Sequence, residues 1–218
     1  MLELYLIRHA QSTQNRDDRL IGGRSNHVDL TDLGREQARS LGQRLWESGV
    51  IFNQAYSSPA VRTRDTARIA RLQMQDRSPL TICDSLQELD QGDWQGKVRT
   101  TIYTKQVLDQ IGANRWEFKP PNGESPRDVE RRMYGFVESL LDRTGKIALY
   151  THAVAIKCLL RRIMDFSPSM TYNVAIDNTS LTCLSYDDRG WQVQFINDAT
   201  HLAGLPSENL HQPFRIVT

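Results

Sequence analysis

A chain of 218 residues has room for one sizeable core and an insertion upon it. Its 27 basic and 26 acidic residues nearly cancel, so the charge gives no reason to expect nucleic acid or an anionic membrane as partner. No apolar run approaches the roughly 20 residues that span a bilayer, and the start lacks a basic region with a cleavage site; the expectation is a cytoplasmic protein.

The first element is an apolar strand, Leu2 to Ile7, that runs into Arg8-His9-Ala10-Gln11-Ser12-Thr13. An apolar run of that length, bounded by polar residues, suits a parallel sheet buried on both faces, and such sheets hold ligands beyond the carboxyl ends of their strands. Thr31 is placed to cap a helix over 32–48, with Leu33, Ala38, Leu41 and Leu45 as its apolar stripe and Gly49 closing it. A short strand ends near Tyr56, and Pro59 suits the first turn of a helix over 59–73. Leu80 to Cys83 reads as another strand. The stretch 89–125 is polar and rich in glycine and proline around one helical piece near 98–110.

A helix over 126–143 carries Val129, Met133, Phe136, Val137 and Leu140 at helical spacing. Lys146 to Tyr150 is then a strand, followed by Thr151-His152-Ala153 and an apolar helix to about Asp165. Leu181–Tyr186 and Trp191–Ile196 flank Asp187-Asp188-Arg189-Gly190, a hairpin turn, and the tail over 199–218 shows no clear periodicity. No repeat or linker interrupts the chain. The expectation is a single domain over 1–218: a three-layer α/β/α fold with a mostly parallel central sheet and a small insertion, about 89–125, lying over the site as a lid. Cys83, Cys158 and Cys183 are odd in number, lack metal-ligand spacing and sit among apolar residues, as small core side chains do.

Two of the strands end alike, in a histidine followed by alanine. If both are central, His9 and His152 face each other across one crevice, and Arg62 joins them from the first turn of the helix after Pro59. Two arginines, two histidines and a helix N terminus make a phosphate-sized electropositive pocket, in which histidine serves as nucleophile or proton carrier. Taken alone, Arg8 and His9 read equally well as ordinary strand-end residues. His27, His201 and His211 lie in loop-like sequence with no partners in sight.

The ordered set of motifs is more specific than any one of them. Leu6-Ile7-Arg8-His9-Ala10-Gln11-Ser12-Thr13-Gln14-Asn15 resembles the signature of the histidine phosphatase superfamily, in its phosphoglycerate mutase-like branch. The likeness continues through Leu30-Thr31-Asp32-Leu33-Gly34-Arg35-Glu36-Gln37-Ala38 and Ser57-Ser58-Pro59-Ala60-Val61-Arg62-Thr63-Arg64-Asp65-Thr66-Ala67. It resumes at Leu86-Gln87-Glu88-Leu89-Asp90-Gln91-Gly92-Asp93-Trp94-Gln95-Gly96, Asn122-Gly123-Glu124-Ser125, Thr151-His152-Ala153 and Asp177-Asn178-Thr179-Ser180.

The resemblance implies that His9 attacks phosphorus in line and becomes a phosphohistidine, while Arg8, Arg62 and His152 bind the equatorial oxygens and Asn15 adds a donor. It implies Glu88 as proton donor to the leaving oxygen, in competition with Asp90 and Asp93; burial or an incoming phosphate would favour its protonated form. It selects Arg62 over Arg64 and Arg68, which are expected to be solvated or ion-paired. Ile21 and Gly22 match a position where backbone approaches substrate, though a simple turn explains them as well, and Thr151 and Ala153 flank the second histidine. No cofactor and no metal ligand set is implied. The family usually has Gly and Glu after the catalytic histidine, where this chain has Ala10 and Gln11; Gln11 would remove a negative charge near the phosphate.

The superfamily holds mutases as well as phosphatases. Bisphosphoglycerate-dependent mutases resemble one another in a longer segment before the second histidine, with an Arg-Arg pair and a proline-rich stretch. Here Leu89 to Thr151 shows neither before Pro120-Pro121, which favours a phosphomonoesterase acting on a small-molecule phosphate ester. A silent phospho-ligand or phosphoprotein-binding module is a third reading, opposed by the presence of both His9 and Glu88. Lys97, Arg99, Lys105, Arg115 and Lys119, with Tyr103, Trp116 and Phe118, form either a lid over a second anionic group or a solvated helix face. Alpha-ribazole phosphate, fructose 2,6-bisphosphate and 3-phosphoglycerate are all handled by proteins of this look, and the sequence does not choose among them. Dimers are common among such proteins, so a homodimer is expected, with no pattern to mark its surface.

Overall fold

A computed structural model describes residues 1–206. Six strands, β1 (Leu2–Arg8), β2 (Gln54–Ser57), β3 (Leu80–Ile82), β4 (Gly145–Thr151), β5 (Leu181–Asp187) and β6 (Gly190–Asp198), form one sheet in the order β3-β2-β4-β1-β5-β6. The first four are parallel; β5 runs against β1, and β6 against β5 through the expected hairpin.

The central strands are apolar throughout because both faces are covered. Leu4 and Leu6 of β1, with Ile147 and Leu149 of β4, enter one core, while Tyr5, Ile7, Ala148 and Tyr150 enter the other. This is the period-two alternation of a strand, with apolar residues in both phases. The second core lies under α1 (Asp32–Glu47) and α2 (Val61–Gln73), the first under α5 (Pro126–Glu138) and α6 (Ala153–Met164). Between β3 and α5 come two short helices, α3 (Arg99–Ile102) and α4 (Lys105–Ala113). The chain leaves β1 toward β2 and leaves β4 toward β5, on opposite sides, so a crevice opens at the ends of these two neighbours.

Local chemistry sets the helix limits. Thr31 caps α1 by accepting from Gly34 N–H at 2.9 Å. Gly34 is needed for a second reason: a Cβ there would lie 2.0 Å from the Gln11 carbonyl oxygen, so α1 rests directly on the loop after β1. Three expected helices shift. α2 begins at Val61, two residues past Pro59, because Ala60 is extended and Val61 N–H is bonded to Asn26 O at 2.8 Å. The piece near 98–110 divides at Tyr103, where Thr104 caps α4. The helix from 126 ends at Glu138, five residues early, where Ser139 Oγ donates to Phe136 O; Leu140 reaches the core from a turn instead. All three residues of β3 are exposed at the sheet edge.

Candidate active site

β1 and β4 pair in register through Arg8 and Thr151, which delivers His9 and His152 side by side. Their rings lie 5.1 Å apart, edge to face, and both residues are buried. The His9 backbone is held from three directions: its N–H donates to Thr151 O at 3.0 Å, and its carbonyl accepts from Asn178 Nδ2 at 2.9 Å and from Thr179 N–H. Thr179 has φ +54, a left-handed conformation that β-branched residues rarely adopt, so this loop holds backbone strain against the His9 peptide.

The ring of His9 is oriented as well. Nδ1 lies 2.8 Å from Ala10 O, and Arg62 Nε donates toward Nε2 at 3.3 Å. Nδ1 therefore carries the proton, and Nε2 presents its lone pair. Burial first, then the Arg62 and Arg8 charges, hold the imidazole well below its ordinary titration range, so it is neutral at physiological pH.

Arg62 is locked by the loop before α1. Its Nη1 donates to Arg24 O and Ser25 O, both at 2.9 Å, and Nη2 to Gly23 O at 3.1 Å. Gly23 makes this possible with φ +124. Nη2 also donates to His152 Nδ1 at 3.1 Å, which places the His152 proton on Nε2, where it donates to Ser58 Oγ at 2.9 Å. Arg8 Nη1 donates to Ile176 O at 2.7 Å, and its Nε is buried with no hydrogen-bond partner among the described residues. Burial lowers both guanidinium groups to about 10, which leaves them charged at neutral pH.

Glu88 comes from the loop after β3. Oε1 accepts from Leu89 N–H at 2.9 Å and Ala155 N–H at 3.2 Å, and Oε2 from Val154 N–H at 3.2 Å, so the carboxyl group caps the N terminus of α6. Its charge bears on both Arg8 and Arg62. Arg132 of α5 fastens the segment, donating to the carbonyls of Ser85, Gln87 and Glu88 and pairing with Glu124 at 3.0 Å. Glu124 pairs in turn with Arg24, whose carbonyl holds Arg62.

Thus Arg8, His9, Arg62, His152 and Glu88 meet at one place. The other candidates are arranged differently. Thr151 donates its hydroxyl to Leu86 O at 2.6 Å, and Ala153 opens α6. Asn15 Oδ1 accepts from Ser12 N–H and Oγ–H, closing a capping box. Ile21 is buried and bonded to the insertion through Lys97 O and Gly96 N–H, while the carbonyls on Arg62 come from Gly23, Arg24 and Ser25. Gln11 Oε1 accepts from Thr31 Oγ1 at 2.7 Å, which fastens it to the α1 cap. Arg68 pairs with Asp65, as expected.

His201, expected to be without a partner, is half-buried and contacts Thr179 Oγ1 at 3.0 Å; residues 199–206 fold back where periodicity gave no signal. His211 lies outside the described residues. Ser58, Arg132 and Asn178 were not singled out. Ser58 and Asn178 stand inside quoted motifs and Arg132 stands in α5 outside them, and only tertiary contacts reveal what each holds.

Residues 4–199 match the family model for the histidine phosphatase superfamily (branch 1). The chain belongs to that superfamily. It is 27% identical over 217 residues to a probable phosphoglycerate mutase GpmB of Yersinia pestis (strain Pestoides F), covering 93% of this chain and 95% of that one. Among solved structures, YhfR of Bacillus stearothermophilus superimposes with a TM-score of 0.81 at 28% identity, covering 93% of this chain and all of that one. The alpha-ribazole phosphatase of Shigella flexneri, at 23% identity and a TM-score of 0.78 over 90% of this chain and 96% of that one, shares the fold. No described helix is long and apolar enough to cross a membrane.

Proposed function

We propose that this superfamily member is a metal-independent phosphomonoesterase of small metabolites that works through a phosphohistidine at His9. The observation that carries the reading is the His9 ring. It is neutral, its proton is fixed on Nδ1 by Ala10 O, and its Nε2 lone pair lies beside Arg62 with Arg8 at hand. Nε2 forms the bond to phosphorus as the ester P–O bond breaks, and the oxygens gather charge against guanidinium groups that are already in place. A dianionic phosphoryl group drawn to Arg8 and Arg62 beside the two rings favours a doubly protonated His152, whose Nδ1, released from Arg62, then donates to an equatorial oxygen.

Glu88 protonates the departing alkoxide, then takes a proton from the water that attacks phosphorus and releases His9. Oε2, with one N–H upon it against two on Oε1, is the oxygen suited to carry that proton. The same site serves a mutase if a second hydroxyl replaces water, and the likeness to proteins named phosphoglycerate mutase favours that second reading. Phosphate release from nitrophenyl phosphate and metabolite esters in excess chelator, absent in His9→Ala, supports the phosphatase. Conversion of 3-phosphoglycerate to its 2-isomer on addition of bisphosphoglycerate, without phosphate release, replaces it with the mutase.

A further inference from the structure

Beside the phosphate-binding arginines a third cation is buried. Lys157, on the second turn of α6, is 6% exposed, and among the described residues its ammonium makes no ion pair and no hydrogen bond. An ammonium drawn largely out of water without a partner is disfavoured, even where its tip keeps some contact with solvent. Burial, then the Arg8 charge, accordingly pull it down to about 8.

The charged groups that bear on it are Arg8, Glu88 and Arg115, with the buried Cys158 thiol. Glu88 is the one carboxylate of these, and both its oxygens are engaged by backbone N–H groups. Arg115 arrives from the insertion and stacks on Tyr172, its guanidinium 3.6 Å from the ring centre. The other basic residues of the insertion stand elsewhere. Lys97 is exposed, Lys105 is paired with Asp109 and Lys119 with Asp128. The phosphoryl chemistry makes no use of Lys157, since Arg8, Arg62 and His152 already serve the transferring group. A positive charge is therefore left over, on the side of the site where the insertion meets α6.

We infer that Lys157, with Arg115 beside it, receives a second anionic group of the substrate, a carboxylate or a second phosphate, and so determines specificity. The inference rests on the phosphomonoesterase reading. An ester whose second anion reaches Lys157 gains a charge-assisted hydrogen bond away from bulk water. An ester ending in a hydroxyl leaves the ammonium buried and uncompensated, which is how a polar site rejects a near-isostere.

The test compares the wild-type protein with Lys157→Met on matched pairs in chelator. The pairs are 3-phosphoglycerate against glycerol 3-phosphate and fructose 1,6-bisphosphate against fructose 6-phosphate, with nitrophenyl phosphate as reference. We expect wild type to prefer the doubly anionic member of at least one pair; which pair responds tells carboxylate from phosphate. Lys157→Met should lower kcat/KM for that member about ten- to hundredfold, chiefly through KM, and should lower it far less for the partner and the reference. Lys157→Arg should restore part of the preference. Without ligand, Lys157→Met should melt above wild type, because it removes an unpaired buried charge.

A lower melting temperature, or an equal loss on both members and on nitrophenyl phosphate, would make the ammonium a structural group and overturn the inference. So would a wild type without preference in either pair. Failure to hydrolyse any ester, nitrophenyl phosphate included, would overturn the phosphomonoesterase reading itself, and the inference with it.

Discussion

The ends of β1 and β4 and the insertion over 89–125 are built on different principles, though both border the same crevice. At the strand ends, the His9 peptide, its ring and the Arg62 guanidinium are each held by buried hydrogen bonds to backbone or to Asn178. The two ends of the insertion are tied in, through Trp116 in the core and Glu124 on Arg24 and Arg132, but its outer part around α4 carries exposed pairs such as Lys105–Asp109, whose side chains are 89% and 65% exposed, with edge and tilted contacts among Trp94, Tyr103 and Phe118. Buried networks lose heavily when one member goes, whereas exposed ion pairs contribute about 0–1 kcal/mol. One region is thus fixed, and the outer part of the other can change its side chains without disturbing it.

The comparison breaks first at His9 if it breaks at all. His9→Gln keeps a polar side chain but removes the nucleophile, and turnover should fall by about 10⁴-fold or more while the melting temperature changes little; steady-state hydrolysis with a thermal melt checks both. Next comes Arg132, which holds three carbonyls around Glu88. Arg132→Met should lower kcat about ten- to hundredfold on alkyl esters and much less on nitrophenyl phosphate, whose leaving group needs little protonation. An equal loss on both would show that Arg132 supports the fold and not the acid.

The sequence marked the rigid region well and the adaptable one poorly, for a physical reason. Strand ends carrying Arg8-His9 and Thr151-His152 are short-range signals, and their convergence follows once both strands are central. The same holds for Thr31 as a cap. The partners of Arg62, by contrast, are backbone carbonyls of Gly23, Arg24 and Ser25, and a carbonyl has no residue type to betray it. Gln11 was expected near the phosphate pocket because it stands where the family usually has Glu, and one of its contacts, the Thr31 hydroxyl, comes from the α1 cap, which its sequence position does not show. Lys157 stands in an apolar helical run between Ile156 and Cys158 and was not singled out, because burial without a counter-charge is visible only in three dimensions.

A smaller effect links the tail to the rigid region through pH. Burial holds His201 at about 4, and it holds His9 and His152 well below 6.5. In the unfolded chain all three take up protons near pH 6.5. Their folded pKa values are depressed, so the stability they contribute is complete above about 6.5 and is lost as pH falls toward 4. Urea midpoints should therefore drop between pH 7.5 and 5, and His201→Asn should flatten that slope while keeping a donor to Thr179. An unchanged slope would place the acid sensitivity in the two site histidines alone.

The smallest effect is the sharpest check on the adaptable region. Thr179 Oγ1 donates to its neighbour's carbonyl and Arg62 to three, so small displacements there travel to His9 through buried bonds. Lys105 shows no such route: among the described residues its ion-pair partner is Asp109, a turn away on the same exposed helix face. An i,i+4 pair of this kind stabilises a helix by roughly 0.3–0.5 kcal/mol. Lys105→Ala should lower stability by no more than about that amount and leave kcat/KM within about twofold on every ester of the matched pairs. A tenfold change on the doubly anionic esters alone would bring Lys105 to the substrate and make α4 a closing lid. The division between a fixed phosphate end and an adjustable surround would then have to be drawn farther out along the insertion.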